Sequence, residues 1–293
     1  MSEKKEKAKW SKKKKVGIII LCICVFLIVA VLAGGLIALN WYCKVADYEV
    51  ISASDIVKED TKIIAHRGFR AVAPENTLPA FEKAGENGFW GAECDVYRTS
   101  DGVWVVQHDV NTYRMMDFTK SIEKCTLEEL KSHKTDNGVN ISDYPDLSIC
   151  TLDEYMKACD DAGMTAVIEI KGKNNTEHYD EIIETVSNYD CDVVYISFQA
   201  ENLQKMRKLT DAPMFFLASK VTDESIETAK AIGNCGIDFD GNKEKNYEND
   251  SAIIKKCMDE GLEVGAWTID DKAVMQKLLD LGVNYITTDN ITY

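Results

Sequence analysis

From Lys62 to the end of the chain, short runs of β-branched and other apolar residues alternate with stretches that have helical spacing. The candidate strands are residues 62–66, 91–97, 103–108, 166–170, 193–197, 214–218, 236–239, 263–268 and 284–288. Such alternation predicts a parallel sheet covered by helices. If residues 91–108 form one bent strand or hairpin, about 230 residues contain eight strand–helix units, which is typical of a closed (β/α)8 TIM barrel. A doubly wound open sheet is the alternative, but the sequence has neither of the glycine-rich phosphate loops that would favour it.

One stretch interrupts this alternation within the predicted barrel domain, residues 62–293. Residues 109–150 are polar and poor in strand patterns, and only the segment TLEELKSH within them resembles a helix. Because this stretch follows the second strand, we predict a small insertion there that lies over the mouth of the barrel.

The N-terminal region has a different character from the rest of the chain. Residues 16–39 contain no charged side chain, and their number exceeds the roughly 20 that a helix needs to cross a bilayer. Eight lysines fall within residues 1–15, which predicts a cytoplasmic tail, a single transmembrane helix at 16–39 and a connector at 40–61. A cleaved signal peptide is the alternative, but its apolar region would be shorter and followed by a small-x-small site. Because the lysines are expected to stay in the cytoplasm, the domain beyond the connector is predicted to lie outside the cell.

Charge is divided unevenly along the chain. The formal net charge is −15 in total, with +7 in residues 1–44 and therefore −22 in residues 45–293. A domain this acidic is not expected to bind nucleic acid through attraction to phosphate. It is better suited to a divalent cation, or the charge simply keeps the domain soluble.

Polar residues concentrate where the predicted strands end. Barrel enzymes place their active sites at the C-terminal ends of the strands, so these side chains are candidates to converge. The candidates are His66, Arg67, Glu93, Asp95, His108, Glu169 and Lys171.

Two of these carboxylates, Glu93 and Asp95, are two residues apart on one strand and therefore point to the same face. Burying two carboxylates costs free energy unless they have positively charged partners or bind a metal ion. Together with Glu169 they offer only oxygen ligands, which suits Ca²⁺ or Mg²⁺. Zinc is disfavoured because the sequence has no HExxH motif or cysteine cluster.

The remaining candidates suit phosphodiester cleavage. Arg67 and Lys171 could balance the charge of a phosphate group. The two histidines, His66 and His108, could then divide the proton transfers, one as a base and one as an acid.

These residues stand in segments that resemble the glycerophosphodiester phosphodiesterase family across roughly residues 62–292. The segments are AHRGFRAVAPENTLPAFEKA, GAECDVYRTSDGVWVVQHD, TLDEYM, IEIK, YISF, AWT and ITTD, in the order and spacing of the family.

The resemblance implies a role for each matching position. His66 and His108 would be the catalytic acid–base pair, and Glu93, Asp95 and Glu169 would bind one divalent cation, Ca²⁺ or Mg²⁺. The substrate-binding residues would be Arg67, Glu75, Lys171, Phe198 and Trp267.

The expected reaction converts a small glycerophosphodiester to glycerol phosphate and an alcohol. Attack by a glycerol hydroxyl of the substrate and direct attack by water both remain open. One alternative keeps the site but takes a lysophospholipid or a glycerol-phosphate polymer. Another is a non-catalytic, membrane-tethered binding barrel, which would be expected to lack a histidine or a metal carboxylate. The alcohol, the choice of cation and the oligomeric state are left open by the sequence.

Overall fold

The computed structural model describes residues 12–172, 174–241 and 246–293, which divide into an N-terminal unit ending at Lys44 and a compact unit, Val45–Tyr293. The N-terminal unit contains helix α1, Lys12–Tyr42, which includes the whole of the predicted span 16–39. Within the described part of the chain, no helix has both the length and the hydropathy that a membrane span requires. Most of the predicted tail, residues 1–11, lies outside the described residues.

The compact unit is an eight-stranded parallel barrel with helices around it, as the alternating pattern predicts. The strands are β1 Ile51–Ser52, β2 Lys62–Ala65, β3 Gly91–Arg98, β4 Trp104–Val106, β5 Cys150–Thr151, β6 Thr165–Ile170, β7 Val193–Ser197, β8 Met214–Ala218, β9 Cys235–Asp240, β10 Val264–Trp267, β11 Tyr285–Thr288 and β12 Ile291–Thr292. The barrel runs in the order β2, β3, β6, β7, β8, β9, β10 and β11. It closes where β11 pairs in parallel with β2.

The helices occupy the connections between the barrel strands. They are α2 Leu78–Glu86, α3 Leu127–Lys131, α4 Leu152–Ala162, α5 Tyr179–Val186, α6 Ala200–Met206, α7 Asp223–Ile232, α8 Asn246–Asp259 and α9 Lys272–Leu281. Helix α4 shows how the sequence sets these boundaries. Thr151 and Glu154 form a capping box at its start, and Gly163 ends it with φ of 63°, a backbone conformation that glycine adopts without steric cost.

Both faces of the barrel strands are buried, and alternation along each strand decides which side chains reach the interior. On β3, Ala92, Cys94 and Val96 belong to the large core shared with the helices. Because successive strand residues point to opposite faces, Glu93 and Asp95 face the interior. The same rule directs Glu169 of β6 inward, since its neighbours Ile168 and Ile170 are also in the outer core.

Residues 91–108 form the hairpin that the sequence suggests, and the insertion returns to the same sheet edge. β4 pairs antiparallel with β3, and β5 pairs antiparallel with β4. Between them, the insertion builds a small core of its own. Its members are Val105, Met115, Met116, Ile122, Cys125, Leu130 and Ile149.

The predicted connector, residues 40–61, is only partly a connector. β1 pairs in parallel with β12, and Ala53 is fully buried. The side-chain amide of Asn290 donates to the carbonyl of Glu49 at 2.8 Å. Residues from 45 onward thus belong to the compact unit. A two-residue strand is too short to produce a periodic pattern, which is why the sequence alone did not place it.

Candidate active site

Three carboxylates meet inside the barrel near the C-terminal ends of β3 and β6. Glu93, Asp95 and Glu169 are buried, and one oxygen from each lies within 4.8 Å of the others. Burial and the charges of Asp95 and Glu169 raise the pKa of Glu93 well above its ordinary value. Burial and the charge of Asp95 raise the pKa of Glu169 to about 8. This crowding of buried acids is costly, and a divalent cation with oxygen ligands would offset it.

Two cations already contact this acidic cluster. The Nζ atom of Lys171 lies 3.0 Å from Asp95 Oδ1 and 2.9 Å from Glu169 Oε1. The Nε atom of Arg67 lies 3.6 Å from Asp95 Oδ2, and the backbone N–H of the same residue donates to Glu93 Oε2 at 2.8 Å. Although burial opposes it, the charges of Lys171 and Arg67 hold the pKa of Asp95 well below its ordinary value. The predicted phosphate-binding residues therefore lie beside the predicted metal ligands.

Arg67 has an unusual backbone for its residue type, with φ of 57°. This left-handed backbone conformation is uncommon for residues other than glycine, asparagine and aspartate, and it costs free energy. The turn that it creates directs the Arg67 N–H at Glu93 and carries the chain from His66 at the end of β2 towards Glu75.

His66 is oriented by a carboxylate from the far end of the chain. Its Nδ1 atom lies 2.6 Å from Asp289 Oδ1, just after β11. A carboxylate accepts the proton on Nδ1, so Nε2 carries the lone pair. Burial and the charge of Arg67 lower the pKa of His66, and Asp289 partly opposes that shift. The lowered pKa favours the neutral imidazole, whose Nε2 atom can accept a proton.

The second predicted histidine, His108, follows β4 and is more exposed than His66. Its Nδ1 atom lies 3.0 Å from Asp109 Oδ1, and the guanidinium of Arg114 donates to Asp109 Oδ2 at 2.7 Å. Burial raises the pKa of Asp109, but the hydrogen bond from His108 and the charge of Arg114 outweigh it and bring that pKa to about 2. Each histidine thus has its own aspartate.

Glu75, predicted to bind the substrate, is surrounded by arginines and is not among the residues that line the barrel cavity. Three guanidiniums occupy its carboxylate, with N–O distances of 2.9 Å from Arg67, 2.7 Å from Arg70 and 2.6 Å from Arg114. Although burial opposes it, these charges lower the pKa of Glu75 well below its ordinary value. We therefore infer that Glu75 holds the three arginines in place.

A single cavity of about 290 Å³ joins these groups. Its wall comprises His66, Arg67, Glu93, His108, Glu169, Lys171, Ile196, Phe198, Leu217, Asp238, Trp267, Thr268 and Thr287. Phe198 and Trp267, predicted to line the pocket, meet edge to face with ring centroids 5.4 Å apart. The cavity is thus charged on the side of β2, β3 and β6 and mainly apolar on the opposite side.

Asp238 is the acid on the apolar side, and sequence reasoning missed it. It lies on β9, four strands from β3 around the barrel, and it is 6% exposed. Its Oδ1 atom is buried and has no hydrogen-bond partner. Burial and the charge of Glu169 raise its pKa well above the ordinary value. The alternation of β9, with Ile237 and Phe239 in the outer core, could have indicated that Asp238 points inward.

Two further residues support the site from within the quoted segments. Asn76 of PENT adopts φ of 56° and donates from its side chain to Asp95 Oδ2 at 2.7 Å. Asp289 of ITTD orients His66. Both stood in recognised segments, but their partners are 19 and 223 residues away in sequence, and only the fold shows the pairing.

Fold and site together define a class of protein: a TIM-barrel hydrolase whose cavity combines two aspartate-paired histidines with a cluster of acids that could hold a metal ion. A profile of the glycerophosphoryl diester phosphodiesterase family matches residues 66–293. The chain belongs to that family, and the predicted enzyme class is confirmed.

Individual relatives agree with this assignment. A glycerophosphodiester phosphodiesterase of Caldanaerobacter subterraneus is 28% identical over 247 residues, which cover 78% of this chain and 94% of the relative. Human glycerophosphodiester phosphodiesterase 1 is 30% identical over 258 residues, 76% of each chain. Among solved structures, a phosphodiesterase of Oleispira antarctica in complex with the product sn-glycerol-3-phosphate superposes with a TM-score of 0.72 at 26% identity, covering 82% of this chain and 96% of that one.

Proposed function

We propose that this enzyme hydrolyses small glycerophosphodiesters to glycerol phosphate and an alcohol, with a divalent cation and with His66 and His108 as the acid–base pair. The observation that carries the proposal is the single cavity that brings both histidines together with Glu93, Glu169, Arg67 and Lys171. The product seen in the Oleispira antarctica structure, sn-glycerol-3-phosphate, supports the class of substrate.

Glu93, Asp95 and Glu169 would hold the cation, since their oxygens cluster within 4.8 Å and suit Ca²⁺ or Mg²⁺. Such an ion would polarise a phosphoryl oxygen and stabilise the charge that develops on it. Arg67 and Lys171 line the same wall. Their charges would bind the phosphate group and orient its phosphorus for attack.

The two histidines have separate tasks in this scheme. Nε2 of His66 takes the proton of the attacking hydroxyl as the new P–O bond forms. His108 donates a proton to the oxygen of the departing alcohol as the old P–O bond breaks. The same two transfers serve attack by a glycerol hydroxyl of the substrate, with a later opening by water, or attack by water itself.

The size of the cavity favours a small substrate. Its volume of about 290 Å³ is at the lower end of the range for ligand pockets, about 300–1,000 Å³. The apolar residues of the insertion, such as Met115 and Met116, are buried in its own core rather than displayed to a ligand. We therefore favour glycerophosphodiesters over the lysophospholipid and polymer alternatives.

The experiment that tests this function compares glycerophosphocholine with lysophosphatidylcholine, using the full-length protein in detergent with added Ca²⁺ or Mg²⁺. We expect a higher kcat/KM for glycerophosphocholine. His66→Ala and His108→Ala should each lower kcat by about 10²-fold or more, because positioned proton transfer contributes about 10²–10⁴-fold.

A matched control is His178→Ala, because His178 lies in a 3-10 turn and contacts Glu181 outside the cavity lining. Its kcat should equal that of the wild-type protein. Full turnover by both active-site variants would reject the acid–base roles, whereas no turnover by the wild-type protein with either cation would favour a non-catalytic binding barrel. A preference for the lysolipid would make residues 109–150 the candidate acyl-binding lid.

We also propose that residues 16–39 form a transmembrane helix that displays the catalytic unit outside the cell. The uncharged run and the lysines before it support this orientation. Protease added to intact cells should degrade residues 45–293 while an epitope tag on the N-terminus stays protected. Protection of the catalytic unit until the cells are lysed would reverse the orientation.

A further inference from the structure

The segment just before the barrel passes beside the orienting partner of His66. Tyr48 belongs to this segment, three residues before β1. The chain is held there on the C-terminal side of Tyr48, because β1 pairs with β12 and the side chain of Asn290 donates to the carbonyl of Glu49 at 2.8 Å. Tyr48 is therefore fixed against the strand end that carries Asp289.

Asp289 uses both of its carboxylate oxygens. Oδ1 accepts from Nδ1 of His66 at 2.6 Å, and Oδ2 accepts from the hydroxyl of Tyr48 at 3.0 Å. A carboxylate that is hydrogen-bonded on both oxygens cannot rotate about its χ2 bond without losing a partner. The tyrosine hydroxyl thus fixes the plane of the group that aims the imidazole.

The ring of Tyr48 makes a second contact with the same cluster. The guanidinium carbon of Arg70 lies 5.7 Å from the ring centroid, within the range of a cation–π interaction. Nη1 of Arg70 lies 3.6 Å from Asp289 Oδ1, the oxygen that accepts from His66. Tyr48 therefore contacts both the carboxylate of Asp289 and the arginine that lies beside it.

We propose that Tyr48 is a positioning residue for His66 and acts through Asp289. The segment that joins the N-terminal helix to the barrel is then part of the catalytic apparatus rather than a passive tether. This inference rests on the proposed role of His66 as a proton acceptor, and it adds a residue that lies before the matched family region, which begins at residue 66.

The test is Tyr48→Phe in the full-length protein, which removes the hydroxyl and keeps the ring beside Arg70. We expect kcat for glycerophosphocholine to fall about three- to tenfold, the effect of losing one hydrogen bond on an orienting group. KM and the melting temperature should stay at the wild-type values, because Tyr48 does not line the cavity and is only half-buried.

The matched control is Tyr189→Phe. Tyr189 also donates its hydroxyl to an aspartate, with 2.8 Å to Asp153 Oδ1, but on the outer surface. Loss of that hydrogen bond should leave kcat unchanged. An equal fall in both variants would overturn the inference, since it would make the effect a general one of removing a tyrosine hydroxyl.

A double-mutant cycle separates action through Asp289 from an independent effect. In an Asp289→Asn background, Tyr48→Phe should cause no further loss of kcat, because the group that it positions has been replaced. If the double variant showed the product of the two single-variant losses of kcat, the inference would be overturned. A wild-type kcat in Tyr48→Phe would overturn it as well. Failure of the proposed function itself would be recognised separately, as His66→Ala would then retain the wild-type kcat.

Discussion

Replacing Glu75 by Gln tests the arginine-bound carboxylate at the centre of the site. The side chain is 6% exposed and takes three guanidiniums at 2.6–2.9 Å. Removing one partner of a buried ion pair costs about 3–5 kcal/mol, because the other charge is left uncompensated. The amide of Gln keeps one acceptor oxygen, and each arginine has a second acid within reach.

Those second contacts reduce the expected loss. They are Arg67 Nε to Asp95 Oδ2 at 3.6 Å, Arg70 Nη1 to Asp289 Oδ1 at 3.6 Å and Arg114 Nε to Asp109 Oδ2 at 2.7 Å. We therefore expect Glu75→Gln to lower the free energy of unfolding by about 2–3 kcal/mol, below the full cost of an unpaired buried charge. For a unit of this size, that corresponds to a melting temperature about 4–12 °C lower.

The pH dependence provides a second readout. The folded-state pKa of Glu75 is depressed, so its stabilisation is present above the unfolded-state pKa and is lost as pH falls through the folded-state pKa. The difference between wild type and variant should thus persist at neutral pH. It should narrow only in acid below about pH 4, the ordinary range of a glutamate.

Thermal unfolding followed by circular dichroism, with the full-length protein in detergent, measures this difference. Glu86→Gln is the matched control, because Glu86 is exposed and pairs with one exposed lysine, Lys83. Its melting temperature should move by less than about 2 °C, since an exposed pair contributes about 0–1 kcal/mol. If Glu75→Gln melted together with the wild-type protein at pH 7, the reasoning from buried charge would be refuted.

Two further predictions concern the cavity. Glu93→Gln should raise the concentration of Ca²⁺ or Mg²⁺ needed for half-maximal activity, because a hard cation loses one charged ligand. Full activity in excess chelator, with metal content confirmed as nil, would contradict this prediction. Asp238→Leu should raise the melting temperature, because an unpaired buried carboxyl is destabilising, and should raise KM about tenfold if that carboxyl bonds a substrate hydroxyl. An unchanged KM would remove Asp238 from substrate binding.

Much of the barrel could be predicted because its information is local. The strand and helix patterns found the barrel strands and most of their helices, and the alternation on β3 placed Glu93 and Asp95 on one face. The predicted strands agree with the structure to within a residue or two at each end. Periodic burial on a strand is a property of neighbouring residues, so it can be read without knowing the fold.

The rest depended on contacts between distant parts of the chain. Asp289 meets His66 across 223 residues, and Tyr48 meets Asp289 across 241. The family resemblance implied that Glu75 binds the substrate, but it could not show that Arg70 and Arg114 contact its carboxylate. Competition among several partners for one carboxylate is decided by three-dimensional geometry, which residue spacing does not contain.

The barrel closes through the pairing of β2 with β11, and β1 pairs with β12 beside it. These pairings have a consequence for biosynthesis. A ribosome makes the chain from its amino terminus, so residues 48–66 are finished long before the strands that they must join. Until translation has passed residue 289, His66 therefore lacks the aspartate that accepts from its Nδ1 atom. The hydroxyl of Tyr48 lacks the same acceptor. If the proposed roles hold, we expect no hydrolysis from the nascent polypeptide until its carboxyl-terminal segment has joined the barrel.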